Sequence, residues 1–93
     1  MYINRYQDLQ AFKQALARVK VGTDCKVRGF GTVFNPNEAH LMSVCYMSKT
    51  QVTLADFLGR LFTFSIKTGK AVGVTKQSYP NGVIESLDDG EEI

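Results

Sequence analysis

The chain has ninety-three residues, with eleven Lys and Arg, nine Asp and Glu, one histidine and no tryptophan. That is enough for one domain with a modest apolar core. No run approaches the roughly 18 apolar residues of a membrane span. The start, Met1-Tyr2-Ile3-Asn4-Arg5, lacks the apolar stretch of a secretory signal, so the expectation is a cytoplasmic protein without a membrane partner. Charge is divided along the chain: residues 1–84 hold all eleven cations and four acids, a balance of +7, while Glu85, Asp88, Asp89, Glu91 and Glu92 bring the last nine residues to −5. This asymmetry points to a body that meets something anionic.

In chain order, Met1–Tyr6 alternates enough for a short strand. Leu9, Phe12, Leu16 and Val19 then recur at helical spacing, with Gln7, Gln10, Lys13, Gln14 and Arg18 on the other side. The spacing predicts a helix over about 8–20 with one apolar stripe, stopped at Gly22. Residues 25–34 read as a strand carrying Gly29 and Gly31, whose bare face implies close packing or a bulge. Asn35-Pro36-Asn37 signals a turn. His40–Met47 fits either periodicity, and its Val, Cys and Tyr favour a strand with Met42, Val44 and Tyr46 on one face.

Thr53 ahead of Leu54-Ala55-Asp56-Phe57-Leu58 has the form of an N-cap, predicting a short helix over about 53–59 that ends at Gly59. A hairpin follows. A three-residue loop Lys67-Thr68-Gly69 sets Phe64 opposite Val72 and Phe62 opposite Val74, with Gly69 in the left-handed conformation. Pro80-Asn81-Gly82 makes another turn, and Val83–Leu87 a last strand. The expected fold class is therefore α+β: a small single domain over residues 1–87, with an antiparallel sheet of about four to five strands and the N-terminal helix packed on one face. Residues 88–93 are expected to be an acidic, disordered tail.

Catalysis has little to build with. The body offers one histidine, His40, and four acids, Asp8, Asp24, Glu38 and Asp56. His40 and Cys45, five positions apart on one strand, point to opposite faces. Thr68-Gly69-Lys70 lacks the preceding glycine and the following helix of a phosphate loop. Cys25 and Cys45 form no C-x-x-C pair, and free thiols, buried or half-buried, are expected. The reading is a protein that is not an enzyme, with no metal and no cofactor.

Nucleic-acid binding is the reading that the basic body favours. Arg28-Gly29-Phe30-Gly31-Thr32-Val33-Phe34 resembles the signature on the central strand of RNA-recognition-motif domains, and Met1-Tyr2-Ile3-Asn4 is faintly similar to the companion signature on that family's first strand. The resemblance covers about a dozen residues. It implies a basic residue on phosphate and aromatics stacked on bases. Thr32 departs from the aromatic expected there, and the interval before the signature is too short for the family's helix and second strand.

Independently of that likeness, Lys26, Arg28, Phe30 and Thr32 share one strand face, a cationic platform with an aromatic if it is open. The competing reading places Phe30 and Phe34 in the core. The candidate contacts for single-stranded DNA or RNA are Lys26, Arg28, Lys67, Lys70 and Lys76, with Phe30 or Tyr46 stacking and the acidic tail modulating the interaction. The alternative is a protein-binding or inhibitor module, of the kind compact phage-encoded or accessory genes make, acting through a sheet edge or an aromatic patch. A homodimer is compatible with both.

Overall fold

Period-two burial sets the strands. Val52 and Leu54 alternate with Gln51, Thr53 and Ala55, and Phe62 and Phe64 alternate with Leu61, Thr63 and Ser65. Each segment thus hides one face and shows the other. The structure, a computed structural model, describes residues 1–31, 35 and 38–88. They run β1 (Tyr2–Asn4), α1 (Leu9–Leu16), β2 (Asp24–Arg28), β3 (His40–Met47), β4 (Gln51–Ala55), β5 (Leu61–Ser65), α2 (Gly73–Ser78) and β6 (Val83–Asp88). All pairings between these strands are antiparallel, in the order β1-β6-β2-β3-β4-β5. The α+β class holds, with six strands among the described residues in place of four to five.

The sheet rolls up because the segment after β5 has two neighbours. Ser65 N–H donates to Lys70 O (2.8 Å) and Val72 N–H to Thr63 O (3.0 Å), which ties it to β5. Ala71 N–H donates to Gly82 O (2.8 Å) and Ile84 N–H to Gly69 O (2.8 Å), which ties it to the start of β6. Residues 69–72 therefore bridge the two sides of the sheet and close a small barrel. β1 extends the same edge of β6 further along, pairing Asn4 with Ser86 and Tyr2 with Asp88.

The interior is one cluster. Phe12, Ala15 and Leu16 of α1, with Val19 beyond it, join Cys25, Val27, Met42, Val44, Val52, Leu54, Phe64, Ile84 and Leu87. Each large apolar side chain buried there contributes about 1.5–3 kcal/mol. Asp8 caps α1, its carboxylate accepting from Ala11 N–H at 3.0 Å. Burial, with the Asp24 charge adding to it, pushes the Cys25 thiol up to about 12.

Several expectations are corrected. The helix stripe holds for Phe12, Leu16 and Val19, but the helix ends at Leu16 and Leu9 is exposed. No helix forms over 53–59. Val52 and Leu54 face Phe64 and Phe62 across β4 and β5, and that fully buried alternation outweighs a local capping signal. Asp56 braces a turn instead. The hairpin loop after β5 is one residue longer than expected: Ala71, not Val72, lies opposite Phe64. Gly69 is left-handed there, at φ +73°, and packs against Phe12 and Leu16. The chain leaves the sheet at Gly73, so Val74 sits exposed on α2 and does not face Phe62.

β3 is the strand expected, but its register shifts between Val44 and Tyr46. The bulge turns Tyr46 away from the face of Met42 and Val44 and leaves Cys45 exposed. The last strand reaches Asp88, and Glu85 is buried within it. Residues 1–88 thus hold eleven cations and six acids, +5, and residues 89–93 carry −3. The tail expectation for residues 89–93, the turn at Pro36-Asn37, and Thr32, Val33 and Phe34 lie outside the described residues.

Candidate nucleic-acid interface

Residues directly opposite one another in a sheet project to the same side, so register alone locates the outward face. Val83 pairs with Arg28 of β2 and bridges to Lys70, which gives one row, Lys70–Val83–Arg28. Ser86, itself buried, pairs with Lys26 on one side and Asn4 on the other, which gives a second row, Asn4–Ser86–Lys26. Tyr2 and Asp88 form a third. Lys26, Arg28 and Lys70, scattered over forty-five positions of sequence, meet here on two adjacent rows.

The chain leaving β1 adds to this face. Arg5 N–H donates to Glu85 O at 2.7 Å, which holds the segment over the start of β6. Asn4 Oδ1 accepts from Tyr6 N–H (2.9 Å) and Gln7 N–H (3.3 Å), which fixes the turn into α1. Tyr6 stays 66% exposed and Tyr2 58%. A groove of about 300 Å³ lies between Arg5, Tyr6, Lys70, Asn81 and Val83. A second, of about 480 Å³, lies between Tyr2, Asn4, Gln7, Lys26, Leu41 and Ser86.

The acids of this face have defined partners. Glu85 sits at the irregularity where β6 and β2 change register, and its buried carboxylate accepts from Arg28 Nε. That hydrogen bond first, and the Glu85 charge second, raise the Arg28 pKa, while the guanidinium remains partly exposed. Asp88 lies 3.2 Å from the N-terminal amine, and Asp24 accepts from Ser43 Oγ at 2.9 Å. The cations Arg5, Arg28 and Lys70 therefore gather at the Val83 end, the acids Asp24 and Asp88 at the other, with Lys26 between.

Phe30 is not part of the platform. Gly29 has φ +88°, and a Cβ there would run into the Asn81 carbonyl. This left-handed step redirects the chain after Arg28 and sends Phe30 inward, where its ring lies 4.9 Å from Phe62 and 4.5 Å from Tyr79. The six-strand order also differs from the four-stranded sheet of RNA-recognition-motif domains. Tyr46 is outward and exposed but on β3, in register with Thr53. Lys67, in the loop after β5, and Lys76, on α2, are exposed and line neither groove. Tyr2 and Tyr6 are not among the contacts expected from the sequence, although Tyr2-x-Asn4 with Ile3 turned inward is the alternation of a half-buried strand.

His40 Nε2 lies 3.7 Å from a Glu38 carboxylate oxygen and makes no hydrogen bond among the described residues. The Cys45 thiol donates to Thr53 O at 3.4 Å. Among the described residues no cluster of His, Cys, Asp and Glu is placed to hold a metal ion, and no helix is long and apolar enough to cross a membrane. Searches against protein-family models, curated proteins and solved structures find no match.

Proposed function

We propose that this protein is a non-enzymatic, cytoplasmic binding module for single-stranded nucleic acid, working through the outward face of β1, β6 and β2. The observation that carries the reading is the pair of rows Lys70–Val83–Arg28 and Asn4–Ser86–Lys26 with the exposed rings of Tyr2 and Tyr6 beside them. Cations spaced along a surface track phosphates, and exposed aromatic rings stack on bases without sequence preference because every base has a flat face. Arg5, Lys26, Arg28 and Lys70 take the phosphate contacts, and Tyr2 and Tyr6 replace Phe30 and Tyr46 as the stacking residues. Glu85 positions Arg28. The acidic residues 89–93 follow directly from the acidic end of the same face and compete with the ligand.

Fluorescence anisotropy with labelled single-stranded DNA, single-stranded RNA and duplex DNA across a salt series tests this. Full-length protein is compared with a version ending at Asp88. Four phosphate contacts predict a slope of log affinity against log salt of about −3, at roughly −0.7 per phosphate for single strands. The shortened version is expected to bind more tightly at low salt. No binding by either version at low salt would sink the reading.

The protein-binding alternative has its own observation, an outward surface on the other three strands that carries no charge.

A further inference from the structure

Follow the register from β2 into β3, β4 and β5, and the outward residues change character. Ser43, Ala55 and Leu61 form one row, and Tyr46, Thr53 and Thr63 the next, with the two threonine hydroxyls 3.3 Å apart. Leu41 precedes the first row, and Gln51 with Ser65 closes the far end. None of these nine side chains is ionisable except the Tyr46 phenol, and none carries charge at neutral pH. Leu41, Tyr46 and Leu61 are 62–64% exposed. An antiparallel sheet face left to water is ordinarily polar and charged.

The turn beyond Ala55 extends this surface. Asp56 Oδ1 accepts from Leu58 N–H (3.0 Å) and Arg60 N–H (2.9 Å), and Asp56 Oδ2 from Arg60 Nε (2.7 Å). Burial would raise the Asp56 pKa, but the hydrogen bonds from Arg60 and Leu58 and the Arg60 charge outweigh it and hold the carboxyl below its ordinary range. The braced turn displays Phe57 at 88% exposure, with Leu58 beside it. A braced backbone lowers the entropy cost of covering the side chains it carries.

We infer that the outward face of β3, β4 and β5, with the Phe57–Leu58 turn, is a self-association surface that pairs with a second copy of this chain. Two observations select that occupant. A two-fold contact sets the same patch against itself, and a charged patch would then oppose like charges. This one has none, and Asp56 and Arg60 at its edge neutralise each other. Large side chains of this kind present on the order of 200 Å² each when fully exposed, and at exposures of 62–88% the five amount to about 700 Å². That approaches the roughly 800 Å² per partner of a standard interface. Apart from Lys26, which lies opposite Leu41 at the border with the cationic face, a nucleic acid finds no cation on these rows. The dimer carries two copies of the cationic face, and linked sites of this kind bind long strands with avidity.

Sedimentation velocity over a concentration series, without nucleic acid, tests the inference independently of the proposed function. The expected result is a rise from the mass of one chain to that of two. Leu61→Lys and Tyr46→Lys, at exposed positions, are expected to hold the protein at one chain with an unchanged far-UV dichroism spectrum. Phe57→Ser, outside the sheet, is a further variant expected to shift the midpoint to higher concentration. Wild-type protein that stays at one-chain mass throughout, or a dimer that folded Leu61→Lys and Tyr46→Lys leave intact, overturns it.

Discussion

The outward surface of β1, β6 and β2 and that of β3, β4 and β5 belong to one sheet, yet their compositions differ sharply. The first presents Asp24, Lys26, Arg28, Lys70 and Asp88 among its outward residues, with Glu85 buried beneath Arg28. The second presents Leu41, Tyr46 and Leu61, with Ser43, Thr53, Thr63 and Ser65 distributed over its rows. The inward faces of both halves are alike, because a core asks only for apolar volume that fits. What differs is the environment each half meets on the outside. Charge spaced on rows suits a polyanion, and its absence suits another apolar surface.

The largest effect expected on this comparison comes from a residue that joins neither half. Phe30→Ala should cost about 3–5 kcal/mol of stability in urea denaturation, as large aromatic truncations in cores do. Affinity of the remaining folded protein for single strands should stay near wild type. A stable Phe30→Ala protein that has lost binding would return Phe30 to the platform.

Tyr6→Ala comes next. Loss of one stacked base is expected to weaken single-strand binding by about 1–3 kcal/mol, roughly 5- to 150-fold, with the salt slope unchanged. Anisotropy at two salt concentrations separates the two quantities. The same change should leave self-association untouched, which distinguishes the halves.

Lys26→Ala and Lys70→Ala act in the opposite manner. Each should reduce the magnitude of the salt slope by about 0.7 and weaken all sequences alike. Arg28→Ala should also lower the melting temperature, because it strands the buried Glu85 carboxylate without its partner. Equal melting temperatures for Lys26→Ala and Arg28→Ala would contradict that pairing.

The smallest effect concerns the braced turn at the edge of the uncharged half. The Asp56 pKa is depressed in the folded protein. Its contribution is therefore fully present above the ordinary aspartate value near 3.9 and is lost as pH falls through the lower folded value. Asp56→Asn should flatten that part of the acid limb, read as urea midpoints between about pH 2 and 5. An unchanged limb would remove Asp56 from the account of the turn.

Local patterns carried much of the fold. The α1 stripe at Phe12, Leu16 and Val19, the left-handed Gly69 and the turn at Pro80–Gly82 could be read from spacing and turn chemistry, whereas His40–Met47 fits either periodicity and the loop before Gly69 is one residue longer than spacing predicts. The segment around Thr53 misled, because an N-cap signature is a local preference worth about 1 kcal/mol. Val52 and Leu54, fully buried opposite Phe64 and Phe62, outweigh it only when β5 is present to face them. Tyr46 misled for a related reason: the bulge beside it depends on pairing with β4, and a bulge reverses the faces that alternation assigns.

By itself, the sequence determined which residues are apolar enough to be buried, where the chain must turn, and that one helix and an antiparallel sheet would share a core. It also held the charge imbalance, since ionisable residues can be counted without a fold. Tertiary structure decided which of those charges meet. Lys70 joins Arg28 only because residues 69–72 close the barrel against β6. Glu85 leaves the acidic end of the chain only because β6 lies beside Arg28. Gly29 sends Phe30 inward because the Asn81 backbone occupies the space beside it. Each of these is a contact between segments far apart in sequence, and spacing along one segment carries no information about the segment it will pack against.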